Sequence, residues 1–359
     1  MQSFRYYILA AIVALMITSC EEWEALVVTE INTDGTCKRT ITTSDPLCVD
    51  YDSLWEETYQ NKRDGVTDSS MVSLSRTFEN ADAMAANPII SIYGEKVKSQ
   101  VLLDKRFKWF YEDYYYTETF PGWQDHFEIP VTDYMHEEEA SYMFTGQPDY
   151  VIKGKTGLDA VDYLDKLQES YEQWAYANVL NCDFKLIVNH YDDISNPPVD
   201  KATFLSLRDS MASFGYEKEY DVFSDVKQLF EDFFGSKAYG VFFEDVTPYD
   251  DEMENIFNGT FGICNLKMPY ILIMPGHVTE TGRGSIDTSL VKKPGKEGIV
   301  YSIEGNYLVV GDYTITASSR VTNVWAFIIS GLIVLLALVS LLYRSQDVIS
   351  ETLHKGFQV

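Results

Sequence analysis

The stretch VWAFIISGLIVLLALVSLLY, Val324 to Tyr343, carries no charged residue. At ~1.5 Å of rise per residue, about 20 helical residues cover ~30 Å, the thickness of a bilayer's hydrocarbon core. Trp325 and Tyr343 stand near its two edges, where amphipathic rings favour the membrane–water boundary. A core helix of this composition would need protein on every side, which a segment so near a chain end rarely receives. The run therefore predicts a membrane span, and it confines the remaining chain to domains on one side or the other.

The opposite end reads MQSFRYYILAAIVALMITSC. Arg5 precedes an apolar run from Ile8 to Ile17, and small residues follow before Cys20, the pattern of a secretory signal peptide. Ile17-Thr18-Ser19-Cys20 resembles the lipobox of bacterial lipoproteins, whose cysteine becomes the new N-terminus and carries diacylglyceryl and acyl chains. That resemblance implies a leader over residues 1–19, lipidation at Cys20 and export of Glu21 to Asn323. With the apolar run as a span, the 344–359 tail is expected in the cytoplasm and the main domain on the periplasmic side of a bacterial inner membrane. Glu21, Glu22 and Glu24 resemble the sorting signals that send some lipoproteins to the outer membrane, but a helical span argues against that destination.

Between these ends lie roughly 300 residues, enough for a domain with a real core. A formal net charge of -27 repels phosphate backbones, so nucleic-acid partners are disfavoured. Cys37, Cys48, Cys182 and Cys264 form an even set that an oxidising compartment could join as two disulfides, with three connectivities open. Cys37 with Cys48 is the local choice, which leaves Cys182 with Cys264. No CxxC occurs and the five histidines are scattered, so no metal site and no cofactor is expected.

Secondary-structure signals divide the exported region into β-rich flanks, 20–129 and 246–323, around a helical insertion at 130–245. Ala25 to Thr42 is β-branched and broken by Asp34-Gly35, a hairpin signal. Asp52 to Tyr59 has modest helix potential, and Ile89 to Tyr93 and Ser99 to Leu103 read as extended. In RFKWFYEDYYYTETFPGW, Arg106 to Trp123, period-two alternation puts Phe107, Trp109, Tyr111 and Tyr115 on one face of a strand, the expected core face. Tyr114 and Tyr116 then share the charged face with Glu112 and Glu118 and are candidates to line a ligand groove. Helical stripes follow at Leu164, Leu167, Tyr171 and Trp174, at Phe204, Leu207, Met211 and Phe214 after Asp200 and before Gly215, and at Val222 to Phe233 before Gly235. Strands return at Tyr270 to Met274, His277 to Thr281, Gly298 to Glu304 and Asp312 to Arg320, with a turn at Glu304-Gly305-Asn306. Met274-Pro275-Gly276 should bend or bulge, because Pro lacks a donor and Gly admits unusual backbone angles.

The order of a lipobox, an early INTDGT hairpin, a strand reading ILIMPGHVTETG, a strand reading GDYTITASSR and an immediate membrane span resembles the LppM-type envelope lipoproteins and related uncharacterised lipoproteins. It implies an α+β fold, with a twisted antiparallel sheet contributed by both ends of the exported region, a helical insertion and one C-terminal transmembrane helix. It lends no catalytic residue. The function expected is a non-enzymatic, doubly anchored envelope lipoprotein that binds a hydrophobic ligand such as a lipid, or scaffolds an envelope protein complex. The alternative is an envelope hydrolase acting on glycan or peptide through paired carboxylates, drawn from Asp250, Asp251, Glu252 and Glu254 or from Glu137, Glu138 and Glu139. Such runs are usually the solvated first turns of helices, and neither G-x-S-x-G nor H-E-x-x-H occurs.

Overall fold

A computed structural model of the chain describes residues 23–44, 51–60, 71–92, 95–244, 246–287, 289 and 294–356. Residues 1–19, Cys20 and Cys48 lie outside them. The fold is α+β, as expected. Strands β1 (Trp23–Ile31) and β2 (Cys37–Thr43) form the opening hairpin, with Gly35 at φ 92° in the turn and Asp34 Oδ1 accepting from Thr36 N at 2.9 Å. A positive φ there is open to glycine, which has no Cβ to clash. Next come β3 (Glu56–Gln60), β4 (Met71–Phe78), helix α1 (Ala81–Ala85), the short pair β5 (Ile90–Ile92) and β6 (Glu95–Val97), then β7 (Gln100–Lys108) and β8 (Tyr111–Phe120). The helix potential at 52–59 is overridden. Trp55 is buried edge-on against Phe78, and β3 pairs with β4, so tertiary pairing decides the conformation.

Six helices follow: α2 (Glu137–Thr145), α3 (Leu158–Asn189), α4 (Lys201–Ser206), α5 (Arg208–Glu217), α6 (Val226–Phe234) and α7 (Asp250–Phe261). The chain then returns to strand as β9 (Leu266–Pro275), β10 (His277–Glu280), β11 (Ser285–Ile286) and β12 (Lys296–Glu304), passes through α8 (Gly305–Val310) and β13 (Tyr313–Thr322), and ends in α9 (Val324–Gly356). The stripe beginning at Leu164 marks α3, but the helix continues unbroken to Asn189, and every residue from Trp174 to Phe184 is buried, against Phe127, Ile129 and Phe144 before it as well as Phe204 and Phe230 after it. Asp200 caps α4 by accepting from Thr203 N, and Gly235 ends α6 in the left-handed region. Gly215, expected as a helix end, is instead a buried interior residue of α5, where a Cβ would collide with the Tyr176 hydroxyl. Glu304-Gly305-Asn306 is the start of α8 rather than a turn.

Two sheets carry the β part, a seven-stranded one in the order β11-β12-β9-β1-β2-β4-β3 and a four-stranded one in the order β10-β13-β8-β7. Neighbours are antiparallel except β1 with β9, which run parallel. The first strand and the strand following the helices are thus side by side, and the helical segment is an insertion into a β domain built from both ends. Alternate residues face inward: Cys37, Arg39, Ile41 and Thr43 on β2, and Leu266, Met268, Tyr270, Leu272 and Met274 on β9. Full burial of one large apolar side chain contributes roughly 1.5–3 kcal/mol. At Gly276 (φ 76°) the chain leaves the larger sheet and enters the smaller one, with the Arg320 carbonyl where a Cβ would sit. The expected bend at Met274-Pro275-Gly276 is this corner.

The aromatic stretch from Arg106 to Trp123 is a hairpin, not one strand, and on β8 the inner face is the opposite of the one alternation suggested. Phe107 and Trp109 are 58% and 45% exposed, whereas Tyr114, Tyr116, Glu118 and Phe120 are buried. The Trp109-Phe110 turn between β7 and β8 shifts the phase, and a one-residue slip moves every side chain to the other face.

The helix α9 contains a 21-residue segment, Val324–Arg344, of mean hydropathy 2.7, of which 6% is buried. It is long and apolar enough to cross a membrane, and almost none of it is covered by the rest of the chain.

Candidate functional site

The residues proposed from sequence to line a groove, Tyr114 and Tyr116, lie between the two sheets instead. The Tyr114 hydroxyl is 2.9 Å from both Thr33 O and Glu112 Oε2. Tyr116 belongs to a polar cluster centred on Glu118. Glu118 Oε1 accepts from Arg39 Nη2 at 2.7 Å and from Ser99 Oγ, while Oε2 accepts from the Tyr116 hydroxyl at 2.6 Å and from that of Tyr270. Two donors on each oxygen saturate the carboxylate, and Arg39 Nε adds a bond to Thr29 Oγ1 at 3.2 Å. Burial works against the Arg39 charge, yet adjacent Glu118 holds its pKa above the usual guanidinium value. Burial raises the Tyr116 and Tyr270 hydroxyls, and the Glu118 charge adds to the shift. This cluster has no opening, and its chemistry is that of an internal cross-brace.

The site with room for a ligand lies in the helical layer. A groove of about 610 Å³ opens between α3, α6, α7 and the turn Gly240–Phe243, within the roughly 300–1,000 Å³ typical of small-molecule sites. Phe223, Phe242, Phe243 and Phe257 supply aromatic walls, and Val179 and Leu186 of α3 contribute to the apolar floor. Alternation of helical stripes explains the arrangement. Val179, Asp183 and Leu186 recur at spacings of four and three, so they share one face of α3.

Asp183 is the one acid on that floor. Its side chain belongs to a residue 3% exposed, and among the described residues no donor or cation pairs with it. Desolvation alone raises its pKa well above the carboxylate range. Removing a carboxylate from water without a partner costs several kcal/mol or more, so burial favours the protonated form of this group. A neutral carboxyl presents one donor and one acceptor oxygen to whatever fills the groove. Glu244, Asp250 and Glu254 line the same groove, with Lys227 tied to Glu244 at 2.8 Å, so the wall is acidic as well as aromatic.

A second hollow of about 790 Å³ lies where α2, α8 and the start of β13 meet. Two of its charged groups are already engaged. Asp312 Oδ1 accepts from Gly122 N at 2.8 Å, and Arg283 lies over the Tyr313 ring. Larger volume therefore does not make it the better candidate.

The carboxylate runs are helix starts. Glu137, Glu138 and Glu139 fill the first turn of α2, with Glu139 accepting from His136 N and Tyr163 Oη. Asp250, Asp251 and Glu252 fill that of α7. Asp250 holds Thr247, and Glu252 meets His190 Nε2 at 2.7 Å and Asn189 Nδ2 at 2.9 Å. Acids at helix N-termini oppose the positive end of the dipole and need no catalytic explanation. No group of three or more potential metal ligands occurs among the described residues.

Cys37, Cys182 and Cys264 stand as thiols, so the expected Cys182–Cys264 disulfide is not formed. What α7 sets opposite Cys182 is Thr260, 3.9 Å from the sulfur, and burial pushes the Cys182 thiol up to about 12. Cys48 and Cys20 lie outside the described residues.

No protein family, curated protein or solved structure matches the chain.

Proposed function

We propose that this is a membrane-anchored, non-enzymatic binding protein of the bacterial envelope. Its helical layer takes a hydrophobic ligand that carries one polar end. Asp183 carries the proposal: a buried carboxyl without a partner among the described residues, set in an aromatic groove, has a use if a ligand's hydrogen-bonding group completes it. The acidic wall favours an amine or amide at that end over an anion.

Lipidation at Cys20, a periplasmic domain and a cytoplasmic tail complete this reading. They rest on the lipobox-like sequence and on the exposed apolar helix. So does placement beside the LppM-type lipoproteins.

The test is binding of N-phenylnaphthylamine, an apolar aromatic amine whose fluorescence rises in dry sites, to the full chain in detergent micelles. Saturable binding that Phe257→Ala weakens and Asp183→Leu alters is the expected result. Titration identical to that of empty micelles would defeat the proposal. A protonated acid is also what a glycan hydrolase requires, and Glu254 on the groove wall would serve as its second carboxylate. Asp183→Asn separates the two readings, since it preserves a hydrogen-bonding floor but abolishes acid catalysis.

A further inference from the structure

The Trp109-Phe110 turn at the tip of the β7–β8 hairpin does not point into open space. It lies against the first turns of α9. Trp109 Nε1 donates to Ser330 Oγ at 2.9 Å, and its ring meets that of Trp325 edge-on, with centroids 5.3 Å apart. Phe110 lies 4.6 Å from Phe327, ring to ring, and Phe107 stacks on Trp325 at 6.5 Å. Asn323 joins the two elements through the backbone: its N donates to Phe110 O at 2.9 Å and its Nδ2 to Lys108 O at 3.1 Å. The hairpin tip and the helix entrance therefore form one body.

The helix supplies a depth scale. Ser330 lies six residues beyond Val324, which at ~1.5 Å per residue places it ~9 Å further along the axis. If the apolar segment begins at the membrane surface, the Trp109 indole sits near the headgroup–acyl boundary, about 5–10 Å deep, where amphipathic elements settle. Its composition suits that zone. Phe107, Trp109, Trp325 and Phe327 are all between 45% and 58% exposed although they are large and apolar, and Trp presents both an apolar body and a donor.

The surrounding charges refine the chemistry. Lys105, Arg106, Lys108 and Arg320 ring the tip, but each already meets a carboxylate, namely Glu112, Asp104, Asp113 and again Asp113. Three carboxylates answer these four cations, so the tip offers little net charge to anionic headgroups.

We infer that the β7–β8 hairpin tip is a second membrane contact. Trp109 and Phe110 insert into the lipid interface beside α9 and fix the tilt of the whole domain on the bilayer. This rests on the reading of α9 as a membrane span, and continuity with that helix is what names lipid, rather than a protein, as the occupant of the exposed rings.

The experiment reconstitutes the full chain in phosphatidylcholine vesicles containing lipid brominated near the headgroup end of the acyl chain. Quenching of tryptophan fluorescence is compared among the wild type, Trp109→Tyr and Trp325→Tyr. The expected result is that each substitution removes part of the quenched signal, and that adding phosphatidylglycerol leaves the pattern unchanged. Loss of quenching in Trp325→Tyr alone would show a spanning helix with the hairpin clear of lipid, overturning this inference but not the span. No change in either variant would overturn both. Quenching of Trp109 that requires phosphatidylglycerol would overturn the assignment to the uncharged interface. The side chain at 109 is exposed and Tyr retains an aromatic ring, so a folded variant is expected, which circular dichroism checks.

Discussion

Arg39 Nη2 and Glu118 Oε1 meet at 2.7 Å across the interior between the two sheets, with side chains 2% and 0% exposed. Each belongs to a different sheet, so the pair spans the β core rather than reinforcing one layer. Removing one member strands a buried charge, at a cost of about 3–5 kcal/mol, while replacing both by apolar residues of similar volume is often neutral. Glu118→Ala is therefore expected to lower denaturant stability by about that amount. Combining Arg39→Met with Glu118→Leu should recover part of it but not all, because the buried Ser99, Tyr116 and Tyr270 hydroxyls still lose the carboxylate as acceptor, as measured by equilibrium urea unfolding. An additive double mutant would contradict the coupling.

The raised pKa of Asp183 has a signed consequence. In the folded chain this carboxyl binds its proton more tightly than in the unfolded one, whose value is near 3.9. Its contribution is present below that value and is lost as pH rises towards the folded pKa, so stability falls with pH through that window. Asp183→Asn should flatten this segment of the stability–pH curve and raise stability at neutral pH. The readout is thermal unfolding at a series of pH values, and an unaltered slope would count against a protonated Asp183.

His190 and Glu252 form a surface counterpart of opposite character. Hydrogen bonding to Glu252 raises the histidine pKa, and hydrogen bonding to His190 lowers that of the glutamate. The histidine's share is present below its unfolded value and lost as pH rises through its folded one. The glutamate's share is lost as pH falls through its own folded value, so the pair acts between the two. His190→Gln should shift the imidazole-range titration of stability by a few tenths of a kcal/mol at most, as expected of an exposed pair.

Gly276 and Gly35 both have positive φ, but only Gly276 is crowded, by the Arg320 carbonyl and the Val321 side chain. Gly35→Ala should cost about 1 kcal/mol for its backbone conformation alone. Gly276→Ala adds a steric collision at the corner between sheets and should lower Tm by clearly more. Equal losses would argue against the close approach.

Cys182 should resist alkylation in the folded protein and react only after unfolding, because burial holds its thiol protonated. Mass spectrometry after iodoacetamide treatment, with and without denaturant, reads this directly. A Cys182–Cys264 crosslinked peptide would contradict the thiol assignment.

The sequence announced the elements that depend on local chemistry: the Asp34-Gly35 hairpin, the Asp200 cap, the Gly235 stop and the apolar helix. It was less informative where a distant neighbour decides. Alternation in β8 was visible, but its phase depended on a two-residue turn at Trp109-Phe110 that carries neither Gly nor Asn, so Tyr114 and Tyr116 were assigned outward. The groove left one faint trace. Asp183 is the sole acid between Ala175 and Val188, a run otherwise dominated by apolar and amide side chains, yet nothing local shows that Phe223, Phe243 and Phe257 converge on it.

Strand β8 begins beside the aromatic turn and ends at Phe120, where the chain enters the helical layer. Its 10 residues, at ~3.3 Å each, make it a strut of about 30 Å. On the proposed reading, with the turn on lipid, a strand of that length lifts Phe120, where the chain enters the helical layer, at most about 30 Å above the turn. On that reading the length of one strand, rather than any loop, sets the upper limit on how far the entry to the helical layer stands from the bilayer.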